Sequence, residues 1–204
     1  MFMPKKKTTD ARRLLMIQSE FMRNGEDLGL KDGIAFEFPD AKEGEEPGSR
    51  PDKYMHFIVH LHPKGGFYDG GVFRFDFDIR NVPEYPNNPP KVTCLTRVWH
   101  PNIAMDGRVC HNYLQGNEAF GEGCGYSSSL GLKGLVLGIS TMFDVDRDHH
   151  SDSFNPNDPL NTEAAQMFVR SPSQFERQAR DYTKKYAQPV TIKPYCRALM
   201  TFDR

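Results

Sequence analysis

The chain has 204 residues, with 26 Lys and Arg against 27 Asp and Glu, for a net charge of −1. That length suits one domain with extensions, or two small ones. The near-neutral charge lacks the basic excess that a nucleic-acid partner calls for. No run of about 18 apolar residues is present to span a membrane. Hydrophobic residues make up 38%, and 17 Gly and 15 Pro punctuate them, so one sizeable core is expected among much loop. Met1 to Asp10 carries Lys5, Lys6 and Lys7 with no apolar stretch after them, and does not read as a secretory signal.

The predicted elements run as follows. Thr9 or Asp10 caps a first helix in which Leu14, Ile17 and Phe21 recur at helical spacing, with Leu15 and Met22 beside them. Asn24-Gly25 is its expected end. Glu43 to Pro51 is a Glu-, Gly- and Pro-rich loop. In Met55 to Leu61, the residues Met55, Phe57, Val59 and Leu61 alternate with His56, Ile58 and His60. From Phe73 the alternation is cleaner, with Phe73, Phe75, Phe77 and Ile79 against Arg74, Asp76, Asp78 and Arg80. Period two with one polar face means a half-exposed antiparallel sheet. Lys91 to Leu95 is a further strand. An irregular stretch then reaches about Ser129, and such stretches inside a domain are usually functional.

Leu132, Leu135, Val136, Ile139, Met142 and Phe143 form the next helical stripe. After a polar loop, Asp158-Pro159 or Asn161 opens a short helix through Ala164-Ala165 to Phe168. Ser171-Pro172-Ser173-Gln174 reads as a capping box, and Phe175, Ala179, Tyr182 and Tyr186 form the stripe of a last helix stopped by Pro189. One helix, three or four meandering strands, an irregular segment and then helices make an α+β fold.

Four cysteines stand at 94, 110, 124 and 196, with no Cys-x-x-Cys pair. Neither a zinc site nor a disulfide scaffold is supported, so a reduced cytoplasmic or nuclear protein with no cofactor and no metal is expected. Cys110 lies in the irregular segment, ten residues after His100-Pro101-Asn102 and just after the Asp106-Gly107 turn. Read alone, Cys110 is as compatible with a small core residue as with a nucleophile.

His-Pro-Asn followed by Cys at this spacing resembles the ubiquitin-conjugating enzyme family. Tyr85-Pro86-Asn87-Asn88-Pro89-Pro90-Lys91-Val92 resembles the family's Tyr-Pro-x-x-Pro-Pro-x-Val segment. Asn155-Pro156-Asn157-Asp158-Pro159-Leu160 resembles its Asn-Pro-x-Asp-Pro-Leu loop. Within the family, the run from Pro89 to Ile103, with Trp99 before His100, is most similar to the neddylating conjugating enzymes of the F type. The same is true of an insertion at 115–125. The resemblance implies a conjugating core at 9–188 between a basic extension at 1–8 and a tail at 189–204. It also implies a fold of one N-terminal helix, a four-stranded meander, an irregular active-site segment and C-terminal helices.

The resemblance further implies that Cys110 accepts a ubiquitin-like modifier as a thioester from an activating enzyme and passes it to a lysine. A cullin would be the substrate and a RING-type ligase the helper. A thiolate is an efficient nucleophile and a thioester a good acyl donor. Asn102 carries an amide able to stabilise the oxyanion, or else only braces its loop. Asp158 orients or deprotonates the incoming lysine, or caps a helix before Pro159. His100 and Pro101 are read as shaping the loop, and Tyr85 and Pro86 as structural. Arg12 and Arg13 are either a solvated helix face or a dock for the activating enzyme. Some positions depart from the family pattern. His111 stands where Leu is usual, Tyr126 replaces a Trp, and Asn87 and Ser128 occupy ligase-contact positions. His149-His150 lies in a long loop at 144–154, where two adjacent His are weak grounds for a metal.

Overall fold

The computed structural model describes residues 9–31, 33–45, 51–115 and 125–193. The basic extension at 1–8, most of the insertion with Cys124, and the end of the tail with Cys196 lie outside the described residues.

Helix α1 (Asp10–Lys31) places Ile17 and Phe21 in the core, whereas Leu15 is exposed. The helix runs through Asn24-Gly25 rather than ending there. A helix-interior Gly costs only about 1 kcal/mol against Ala, too little to stop a helix already nucleated and packed. Strand β1 (Ile34–Glu37), not foreseen in the sequence, follows and pairs antiparallel with β2 (His56–Leu61). The sheet continues through β3 (Phe73–Asp78) to β4 (Lys91–Cys94) in the order β1-β2-β3-β4, a simple antiparallel meander.

Register explains the alternation. Phe57 faces Phe77, Val59 faces Phe75 and Leu61 faces Phe73, so one face of β2 and β3 is aromatic and aliphatic and fully buried. The Phe57 and Phe77 rings stack at 5.1 Å. The opposite face is more buried than its sequence suggests. His60 is buried, and its ring keeps a polar partner there, Glu37 on the neighbouring strand at 2.8 Å.

Helix α2 (Gly131–Ser140) buries Leu132, Leu135, Val136 and Ile139 and passes into a 3₁₀ turn at Thr141–Phe143. Its first turn is capped from another element. Glu20 on α1 accepts the Leu132 N–H at 3.1 Å, placing a carboxylate at the helix N-terminus where charge and dipole agree. Helix α3 (Thr162–Arg170) starts at Asn161, whose side chain accepts the Ala164 N–H at 3.1 Å. Asp158 is therefore not the cap. Helix α4 (Pro172–Tyr186) has Pro at its first turn, but the Ser171 side chain makes no capping bond, so the expected box is not formed. Phe175, Ala179 and Thr183 face inward. Among the described residues, no helix is long and apolar enough to cross a membrane.

Candidate active site

The segment from Trp99 to Cys110 leaves β4 as an irregular loop that folds back on itself. Gly107 is its pivot, with φ 90°. A Cβ there would sit 2.4 Å from the Cys94 carbonyl oxygen, so only glycine lets the turn press against β4. The Gly107 carbonyl accepts the Cys94 N–H at 2.8 Å, and the Cys110 N–H donates to the Asn102 carbonyl at 2.8 Å. Cys110 is thus held on a backbone rung opposite Asn102.

His100 locks the base of this loop. It is completely buried, with Nε2 bonded to the Met142 carbonyl at 2.8 Å and Nδ1 accepting the Asn102 N–H at 2.9 Å. Those partners assign a neutral ring protonated at Nε2. Burial drives its pKa down to about 4. With both nitrogens in use it has no lone pair to offer as a base. Pro101 is buried beside it, and its carbonyl accepts the Leu160 and Asn161 N–H groups. The two residues therefore anchor both the cysteine loop and the loop preceding α3.

Asn102 completes that link. Its Nδ2 donates to the Asn155 carbonyl at 2.7 Å and the Asp158 carbonyl at 3.1 Å, and its Oδ1 accepts the Asn155 N–H at 2.8 Å. At 2% exposure, its amide is spent on bracing the 155–158 loop. That brace aims Asp158. Asp158 is exposed, and its Oδ2 accepts from the Cys110 thiol at 3.7 Å. Cys110, Asn102 and Asp158 meet in one shallow groove of about 150 Å³, which His111, Ser153 and Asn155 also line.

Cys110 is half-buried, and its thiol pKa is pushed up by that burial, then by the Asp158 carboxylate. A hydrogen bond from Gln115, at 3.5 Å from Nε2 to Sγ, pulls it the other way. Cys94, by contrast, is buried and its thiol is pushed up to about 12, which makes it inert.

Residues 39–183 match a family model described as Ubiquitin-conjugating enzyme.

The chain belongs to the ubiquitin-conjugating enzyme family.

It is similar to proteins named NEDD8-conjugating enzyme UBE2F from Gallus gallus and Homo sapiens. Each is 36% identical over 138 residues, 68% of this chain and 69% of the relative. It is also similar to NEDD8-conjugating enzyme ubc-12 from Caenorhabditis elegans, 38% identical over 124 residues, 61% of this chain and 63% of the relative. Among solved structures, a Plasmodium yoelii chain described as a ubiquitin conjugating enzyme superposes with a TM-score of 0.64 at 26% identity. It covers 90% of this chain and all of its own. A Toxoplasma gondii ubiquitin conjugating enzyme domain gives 0.59 at 25% identity, covering 88% of this chain and all of its own. As a conjugating enzyme, the protein works with a ubiquitin-like modifier and the activating enzyme that delivers it.

The remaining residues singled out in the sequence lie outside the Cys110 groove. Tyr85 is buried, its phenol pKa raised by burial and by the nearby Tyr126 and Glu20, and it precedes Pro86 through a cis peptide. Arg13 is not on a solvated face. It is 5% exposed, and Nη1 donates to the Ile79 and Val82 carbonyls at 3.0 and 2.8 Å. Arg12 alone of the pair is exposed, as are Asn87 and Ser128. Tyr126 is buried. His149 and His150 are exposed, and among the described residues no three His, Cys, Asp or Glu side chains gather as a metal site.

Two residues beside Cys110 went unread in the sequence as parts of the site. His111 is buried, with Nδ1 accepting the Tyr113 N–H at 3.0 Å and Nε2 bonded to the Gly138 carbonyl at 3.0 Å. It ties the loop that carries Cys110 to α2. Gln115 reads as the first residue of an insertion, yet its side chain turns back to the sulfur. Its offset of five residues, across a turn whose length the sequence does not reveal, gave no signal.

Proposed function

We propose that the enzyme accepts NEDD8 on Cys110 and transfers it to a lysine of a cullin-type substrate with the help of a RING-type ligase. The observation that carries this reading is the likeness to relatives named NEDD8-conjugating enzyme UBE2F across 68% of the chain. Its chemistry rests on a reachable thiol 3.7 Å from a carboxylate in a groove open to solvent.

Charging begins as the Cys110 thiol loses its proton, for which Asp158 is the nearest acceptor. Sγ then attacks the carbonyl carbon of the modifier held on the activating enzyme. A new C–S bond forms, the old one breaks, and the activating enzyme's thiol leaves with a proton. In discharge the substrate amine attacks the same carbon, the C–S bond breaks, an isopeptide bond forms, and the proton lost by the amine returns to Sγ. Only a neutral amine is nucleophilic, so Asp158 has a second task in orienting the lysine and taking the ammonium proton before the attack, the proton lost afterwards being the one that goes to Sγ. Arg12 serves the docking of the activating enzyme, and Asn87 and Ser128 lie where a ligase is engaged. A cytoplasmic or nuclear setting suits a chemistry that depends on a reduced thiol.

A second reading, ubiquitin as the cargo, draws on the structural neighbours described as ubiquitin conjugating enzymes. The test is competitive. The full chain is incubated with ATP, the matching activating enzymes and equimolar NEDD8 and ubiquitin, and run on non-reducing gels. A thiol-sensitive NEDD8 adduct that disappears in Cys110→Ala is expected. A ubiquitin adduct in its place transfers the cargo assignment. No adduct with either modifier leaves a non-catalytic binding module.

A further inference from the structure

Negative charge develops on Cys110 Sγ twice in the reaction: as the attacking thiolate during charging, and as the departing thiolate when the amine displaces it. The surroundings of the sulfur do little to stabilise either state. Burial and the Asp158 carboxylate both disfavour the thiolate, and the described residues place no Lys or Arg in the groove. The family-pattern donor, Asn102, is committed elsewhere. Both of its N–H bonds go to the carbonyls of residues 155 and 158, and withdrawing it would unfasten the loop that aims Asp158.

Among the described residues, the donor that reaches the sulfur is Gln115. After Cys110 the backbone makes a 3₁₀ turn at Asn112–Leu114, capped at its start by His111 and at its end by Gln115. Both backbone polar groups of Gln115 are pinned. Its N–H donates to the Asn112 carbonyl at 3.1 Å, and its carbonyl accepts the Tyr126 N–H at 2.9 Å. The turn itself is tied to α2 through His111 and by the fit of Tyr113 against Gly138, where a Cβ would come within 2.5 Å of the ring. On that fixed platform the side-chain amide faces back, and Nε2 stands 3.5 Å from Sγ. A donor already in place costs no reorganisation when the charge appears, and a hydrogen bond to an ionised acceptor is about twice as strong as a neutral one.

We propose that Gln115 is a catalytic residue, its side-chain amide donating to Cys110 Sγ and stabilising the thiolate both as nucleophile and as leaving group. The assignment rests on Cys110 being the acceptor thiol. The proton and bond accounting is that of the two transfers above. Gln115 adds and removes no atom. It makes a hydrogen bond that is weak to the thiol or thioester and strong to the thiolate.

The first measurement needs neither modifier nor activating enzyme. Iodoacetamide alkylation of the full chain is followed across pH by peptide mass spectrometry, reading Cys110 apart from the other cysteines. Gln115→Leu keeps the size and removes the donor, and should move the alkylation midpoint upward. The isosteric Gln115→Glu replaces the donor with a negative charge and should move it further. Single-turnover discharge of charged enzyme to free lysine should slow by about three- to tenfold in Gln115→Leu. A role confined to bracing the turn would leave Gln115→Glu close to wild type. Unchanged alkylation profiles in both variants overturn the proposal, even if the wild-type enzyme charges normally. Shifted alkylation in the two variants, alongside a wild-type chain that never charges, overturns the reading of Cys110 as acceptor and, with it, the catalytic role of Gln115.

Discussion

At the scale of single residues, Asp158 and Asn102 divide the work that the motifs suggest they share. Asp158 sits against the thiol and raises its pKa, so removing its charge should have two effects of opposite sign. In Asp158→Asn the Cys110 thiol should titrate lower and alkylate faster near neutral pH. Discharge to lysine should nevertheless slow by about 10²-fold, the usual worth of a positioned base. Faster alkylation with unimpaired discharge would remove Asp158 from the lysine step. Asn102→Ala should lower stability by about 2 kcal/mol, because three hydrogen bonds to the 155–158 loop go with it. Denaturant unfolding that is unchanged alongside lost discharge would return the amide to the role of oxyanion donor.

At the scale of elements, contacts between distant segments replace rules that look local. Helix α2 begins without a side-chain cap of its own and borrows Glu20 from α1. Arg13, one turn into α1, fastens that helix to the carbonyls of residues 79 and 82. Arg13→Met should therefore destabilise the fold by about 2 kcal/mol, the worth of buried hydrogen bonds from a charged group. Arg12→Ala should leave unfolding untouched and slow only charging by the activating enzyme. Equal effects of the two substitutions on thermal unfolding would refute that division. Gly138→Ala should cost about 1–3 kcal/mol, since its methyl group would enter the Tyr113 ring and force either α2 or the turn after Cys110 to move.

At the scale of the whole molecule, the histidines set the response to acid. His100, His60 and His111 are buried, and burial holds all three below the ordinary imidazole pKa. The folded state favours the neutral ring, so the unfolded chain binds more protons below about pH 6.5 and stability is lost as pH falls. His100 alone, with its pKa driven down to about 4, accounts for about 3 kcal/mol by pH 4. Denaturant titrations at several pH values between 7 and 4 should show this decline. His100→Gln should be less stable at pH 7 and flatter with pH, and a slope as steep as wild type would exclude His100 as its source.

Much of this was legible in the chain itself. The alternation of Phe73, Phe75 and Phe77, the stripe from Leu132 to Phe143, and the ordered segments around Tyr85, His100 and Asn155 are written in side-chain type and spacing, which survive without any partner. They carried the α+β class, the family and the position of the thiol. Strand β1 was not legible, because Ile34–Glu37 is four residues long and becomes a strand only by pairing with β2. Nor could spacing show that Asn161 rather than Asp158 caps α3, or that Arg13 is buried while Arg12 is not. Adjacent polar residues of one type look alike until a neighbouring element takes one of them. The chemistry of Cys110 depends most on that kind of fact. Its acceptor lies 48 residues away and its donor across a turn, and only folding brings both within hydrogen-bond range of one sulfur.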